Sequence, residues 1–162
     1  MLFFDKVISH TNIQTDANYL RPKSEEILIM KGIANSIKLL LSFAIEGTKA
    51  FTMLEKMHYF CLKELCLYEN ENDTEINNVA SLDTLRYLSF VFKYVSSGNI
   101  PIAFSAVAPC FLLKKKYDNE SENIKNEIKN FLNLIAEDQT LETKKNMENI
   151  ILGSIRIYLS IK

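Results

Sequence analysis

The sequence contains no tryptophan, and only four glycines, three prolines, three cysteines and two histidines among its 162 residues. Each shortage excludes something. A sheet protein needs frequent turns, and Gly and Pro supply their special dihedrals, so their scarcity favours long helices. His10 and His58 leave few bases for a Ser–His or Cys–His pair. There is no Gly-rich phosphate loop, no paired CxxC, no HExxH and no GxSxG. Cys61, Cys66 and Cys110 are odd in number and lack a framework spacing, which points to a reducing compartment. The sequons at Asn72 and Asn119 would matter only in a secreted chain. The apolar start Met1-Leu2-Phe3-Phe4 meets Asp5 and Lys6 at once, so a signal-peptide core is not expected. No run approaches the roughly 20 apolar residues of a spanning helix. The expected location is cytoplasmic or nuclear.

Charge of one sign is also missing. With 19 basic against 20 acidic residues, the net charge is −1, and nothing in that balance draws a nucleic acid. The basic run Lys114-Lys115-Lys116 reads as a helix C-terminus, where cations suit the dipole. The seven tyrosines and ten phenylalanines sit mostly at core spacing, without the interleaved cations of a base-stacking platform.

What is present is apolar surface. Hydrophobic residues make up 48% and charged residues 24%, enough for one folded domain rather than a disordered chain. Residues 1–23 read as an N-terminal arm with a short helix at its start, and residues 24–162 as a single α-helical domain of about six helices. Ser24 caps the first, with Glu25 and Glu26 in its opening turn. Ile29, Ile33, Ile37, Leu40 and Ala44 follow at helical period, flanked by Ile27, Met30, Ala34 and Leu41, with Gly47 as the stop. Thr48 opens a second helix carrying Phe51, Leu54, His58, Cys61, Leu62 and Leu65, which runs into an acidic loop at residues 69–74. From Ser81 a third carries Leu85, Leu88, Phe92 and Val95 on one side and Tyr87, Val91 and Tyr94 on another. A helix apolar on two faces is sandwiched between neighbours.

Pro101 suits a helix start. Pro109 inside a helix would cost about 3 kcal/mol, so the spacing predicts two short helices, 101–107 and 109–116. Asn119 and Glu122 form a capping box before Ile124, Ile128, Phe131, Leu132 and Ile135. Thr140 caps a last helix with Met147, Ile151 and Tyr158 on one line and Ile150, Ile157 and Ile161 on another. Its growing apolarity toward Lys162 predicts insertion into the core, the alternative being a further helix to cover it.

No catalytic residue, metal or cofactor is expected. His58 and Cys61 share a helix face, but Cys66 lies about 140° around the axis, and Cys110 is the remaining thiol for a tetrahedral set. These are read as buried small or amphipathic side chains. The carboxylate pairs Glu25/Glu26, Glu69/Glu71 and Glu137/Asp138 are read as caps and solvated turns rather than acid–base pairs.

The stretch SSGNIPIAFSAVAPCFLLKKKYDNESENIKNEIKNFLNLI, with the helix before it from Leu82, resembles about one armadillo- or HEAT-type repeat. No second copy appears in residues 24–80. The resemblance implies a short right-handed solenoid acting as a non-catalytic scaffold that binds a protein partner; it assigns no partner site. On polarity alone, Glu122, Lys125 and Lys129 and the loop at 69–74 would form the binding surface. The alternative is a compact bundle. The size and the segment Val95–Phe104 resemble the Bcl-2 family, with Gly98 in the place of its groove glycine and Asn99 replacing its arginine, which implies helix-in-groove binding. A third reading is an enzyme whose site uses Tyr, Glu and Lys residues. Stacking separates these readings. A solenoid orders its helices by sequence, a bundle surrounds one of them, and an enzyme shows a deep pocket with convergent polar groups.

Overall fold

A computed structural model describes residues 2–11, 21–70, 80–113 and 119–161. Among the described residues the fold is all-helical: α1 Phe3–Ser9, α2 Lys23–Phe43, α3 Lys49–Asn70, α4 Leu82–Val95, α5 Ile100–Leu112, α6 Asn119–Glu137 and α7 Leu141–Ser160. The centre is α5. Its sequence carries no charge, and every residue from Ala103 to Leu112 is buried. A helix apolar all round must be surrounded, and α5 packs against α2, α4, α6 and α7. The fold is therefore the compact bundle of the two expected architectures, not helices stacked in sequence order.

Pro109 departs from expectation. It sits inside one continuous α5 rather than opening a second short helix. Burying a large apolar side chain contributes roughly 1.5–3 kcal/mol. Phe104, Val107, Phe111 and Leu112 together outweigh the roughly 3 kcal/mol cost of an interior proline.

Local signals set most helix starts. Oγ of Ser81 accepts from Thr84 N at 3.2 Å, Oγ1 of Thr140 from Thr143 N at 3.2 Å, and Oδ1 of Asn99 from Ile102 N at 3.3 Å. Ser24 is not a cap: α2 starts one residue earlier, behind Pro22, without a side-chain cap bond. That helix stops at Phe43, and Gly47, at φ +88°, serves the turn into α3 instead. The two-sided burial expected for α4 is incomplete. Tyr87, Val91 and Val95 are buried, whereas Leu85 and Phe92 are more than half exposed.

The remaining elements close around this core. Helix α1 docks on α6, where Phe4 N donates to Asn133 Oδ1 at 2.8 Å and Lys129 pairs with Asp5 at 2.9 Å. Helix α7 lies against α5 and α4, with Met147, Ile151, Ile155, Tyr158 and Ile161 buried. Gly32 lets α2 and α4 approach, since a Cβ there would run into both methyls of Leu88.

Glu25 clamps two helix starts together. Its carboxylate accepts from Ser81 N and Ser81 Oγ, each at 3.2 Å, and from the Thr84 hydroxyl, which is fully buried. Replacing Glu25 with Ala removes the shared acceptor of the Ser81 and Thr84 hydroxyls and leaves them only each other at 3.2 Å, and loss of such a buried partner costs about 1–3 kcal/mol. Urea unfolding of Glu25→Ala is expected to show a loss of that size with an unchanged m-value; a loss within about 0.5 kcal/mol, as at ordinary surface positions, would refute the clamp.

Candidate functional site

Four polar side chains interrupt the apolar centre. Tyr87 comes from α4, Cys110 from α5, and Ser154 and Tyr158 from α7; each is buried. Ser154 and Tyr158 are four residues apart, so one face of α7 presents both. Tyr87 belongs to the buried stripe of α4 with Thr84 and Val91. Cys110 directly follows Pro109 on the central helix, which α2, α4, α6 and α7 surround.

The Ser154 hydroxyl donates to the carbonyl of Ala106, one turn before Cys110, at 2.8 Å. The Tyr87 and Tyr158 rings lie 5.3 Å apart at 57°. The Tyr87 hydroxyl interacts with the Cys110 thiol and the Ser154 hydroxyl without completing a hydrogen bond to either. Buried polar atoms in native folds nearly always find a partner, so an incomplete one marks either strain or a working group.

On the Tyr158 side, Arg21 closes the cluster. Its side chain is 2% exposed, and its guanidinium carbon stands 4.2 Å from the Tyr158 ring centroid. Arg21 Nη2 donates to the Tyr158 backbone carbonyl at 3.1 Å, and Nε lies 3.4 Å from Glu26 Oε1. Burial pushes both phenols up. At Tyr87 the thiol of Cys110 and the neighbouring Tyr158 add to the rise. At Tyr158 the Glu26 carboxylate adds to it, while Arg21 opposes. Both phenols therefore stay protonated through the physiological range, able to donate a proton or a hydrogen bond but not to act as bases at neutral pH. A thiol, two phenol donors, a hydroxyl and a guanidinium thus converge among buried side chains.

None of these four interior groups was expected to act. The signal available was a single polar residue on each of several apolar stripes, which also describes an ordinary core. Other expected positions fall elsewhere. Cys61 is buried, Cys66 is exposed rather than buried, His58 is half-buried and His10 is exposed. Among the described residues no three potential ligands cluster for a metal. Glu25 and Glu26 are half-buried and engaged: one holds the α2–α4 clamp and the other the Arg21 pair, whereas Glu137 and Asp138 are exposed. Lys125 is 8% exposed, Glu122 is partly buried, and Lys129 reaches across to Asp5. Gly98 and Asn99 form the turn and cap ahead of α5. Lys114 to Lys116, Asn72 and residues 71–74 lie outside the described residues, as do the side chains of Glu69 and Asn119. Among the described residues no helix is long and apolar enough to cross a membrane.

No family model matches the chain, and no curated protein matches it by sequence. The fold is similar to the X-ray structure of a TenA homologue from Pyrococcus furiosus, with a TM-score of 0.73, 15% identity, and coverage of 98% of this chain and 97% of that one. At that identity the likeness shows the fold. It corrects the reading of the chain as an armadillo-like scaffold or a Bcl-2-like groove, and it removes the fold on which the expectation of a non-catalytic, protein-binding module rested. The physical reason is the same central burial: apolar faces read as repeat-stacking surfaces are spent on enclosing α5.

The buried phenols give a test by pH. Below the ordinary phenol value of 10.0 both are protonated whether the chain is folded or not, and they add no slope. Above it the unfolded phenols ionise while the folded ones keep their protons, so the native state binds more protons and stability falls as pH rises. The slope is about 1.4 kcal/mol per pH unit for each phenol. Between about pH 10 and about pH 11, Tyr87→Phe is expected to lose less stability in urea unfolding than the unsubstituted protein, by up to that amount. Equal slopes would mean that Tyr87 titrates normally.

Proposed function

We propose that the chain is a small-molecule enzyme of the TenA type, with its reaction centre at Cys110, Tyr87, Ser154 and Tyr158. The observation that carries this reading is the meeting of a thiol and an incompletely bonded phenol at the centre of the bundle. The fold adds weight, since the TenA family serves thiamine salvage. The substrate class that follows is an aminopyrimidine derived from thiamine, with hydrolysis as the reaction.

The residues suit that chemistry. Cysteine is intrinsically the most nucleophilic group of the cluster. Cys110 sulfur adds to an electrophilic ring carbon while Tyr87 donates a proton to the departing amino nitrogen, and the thiol proton restores the phenol. Water then displaces sulfur, returning the thiol, so the net change exchanges an amino group for a hydroxyl with release of ammonia. Tyr158 and Ser154 orient the ligand and the α5 backbone. A working free thiol suits a reducing compartment such as cytoplasm or nucleus, and nucleic acid has no part in the scheme.

Ammonia release from an aminopyrimidine tests it directly. Cys110→Ser is expected to abolish measurable turnover while circular dichroism and unfolding stay near those of the parent. Tyr87→Phe is expected to lower kcat by roughly a hundredfold, as for loss of a general acid. Full activity in Cys110→Ser, or a parent protein that neither binds nor turns over the aminopyrimidine, would overturn the reading.

A further inference from the structure

Arg21 is more than a prop for Tyr158. A guanidinium stays charged under all ordinary conditions and carries five N–H donors. Here Nη2 serves the Tyr158 carbonyl, and Nε has only the long approach to Glu26. Nη1 and Nε are both buried and make no hydrogen bond. Burying donors of a charged group without acceptors is among the costlier features a fold can carry. The Glu26 side chain, 20% exposed, stays partly in water and meets the guanidinium at one nitrogen rather than as a two-pronged pair. The unused Nη1 end remains in the interior, and the guanidinium lies beside the Tyr158 ring, which is tilted against Tyr87.

We infer that Arg21 equips the site to hold an anionic group of the ligand, a carboxylate or a phosphoryl oxygen, on the Tyr158 side of the cluster. The inference rests on reading the cluster as a ligand site, and it narrows the ligand class. Guanidinium geometry matches both anions through paired N–H donors. The position over the Tyr158 ring and the bond to its carbonyl restrain the fork, so little side-chain entropy is lost when an anion arrives. Glu26 opposes the anion electrostatically and sets the affinity below what Arg21 alone would give.

Binding is measured apart from turnover, which keeps this inference separable from the catalytic reading. Inorganic phosphate and benzoate are each titrated into the full chain by calorimetry at constant ionic strength, with chloride as the control. At least one is expected to bind saturably and to raise the melting temperature more than chloride does. Phosphate binding alone identifies a phosphoryl group, benzoate binding alone a carboxylate, and either result supports the site. Arg21→Ala is expected to weaken that binding at least about tenfold. Arg21→Lys, which keeps the charge and loses the fork, is expected to fall between, and it serves if the alanine variant fails to fold. Glu26→Gln is expected to tighten binding several-fold. Absence of saturable binding by both probes overturns the inference, as does binding that is indifferent to Arg21→Lys and Glu26→Gln. Cys110→Ser that binds the anion with parental affinity but has no turnover separates the two sites of action; loss of turnover without any anion binding sinks only the present inference.

Discussion

Everything in this bundle answers to one constraint: α5 has no face that tolerates water. Ten consecutive residues of that helix are buried, and covering them requires neighbours on every side. Helices α2, α4, α6 and α7 meet that requirement although they lie up to about half a chain away. Their own apolar stripes are consumed in doing so, which is why α4 can leave Leu85 and Phe92 outside while its Tyr87 stripe is sealed. Such a helix also makes a rigid platform. Any polar group that points inward from a neighbour must arrive at α5, and its surroundings there are dry.

That dryness gives the central polar groups their properties. A phenol at the surface has water to support its ionised form; Tyr87 and Tyr158 do not, and are held as proton donors. Pro109 adds a local effect. It has no N–H, so the carbonyl of Ser105 lacks its usual helical donor, and at the adjacent carbonyl, that of Ala106, a side chain of α7 supplies a bond. The helix turn that carries Cys110 is thus tied laterally to the helix that carries Tyr158. Positioning of the thiol relative to the phenols comes from this tie rather than from loops, and scaffold elements hold such geometry more closely than loops do.

Much of the fold was legible in the sequence. The helix start at Ser81, the cap at Thr140 and the stripes of α2, α6 and α7 appear at the expected places, because capping and period are local signals. Pro109 was misread because its cost is local while the burial that offsets it is tertiary. The outward face of α4 was misread because hydrophobicity says how much can be buried and not which side will be. The interior site was not legible. Its members come from the segment before α2 and from α4, α5 and α7, and each looks like one polar residue on an apolar stripe. Arg21 in particular falls in a stretch that reads as an arm, and nothing in its local pattern announces the ring of Tyr158 from 137 positions away.

The three cysteines show why residue type alone could not have located the site. Cys66 stands exposed near the end of α3, where a thiol is reachable but has no preorganised surroundings. Cys61 is fully buried on the stripe of Leu54 and Met57. Cys110 is equally buried, yet it interacts with a phenol that is itself short of a partner. Burial in apolar surroundings disfavours a thiolate and makes a cysteine inert. Cys110 has the company of hydroxyl donors and of a guanidinium that acts on the same Tyr158 phenol as the thiol does. The polar company belongs to the place where α4, α5 and α7 meet, and Cys110 is the thiol that the fold delivers there.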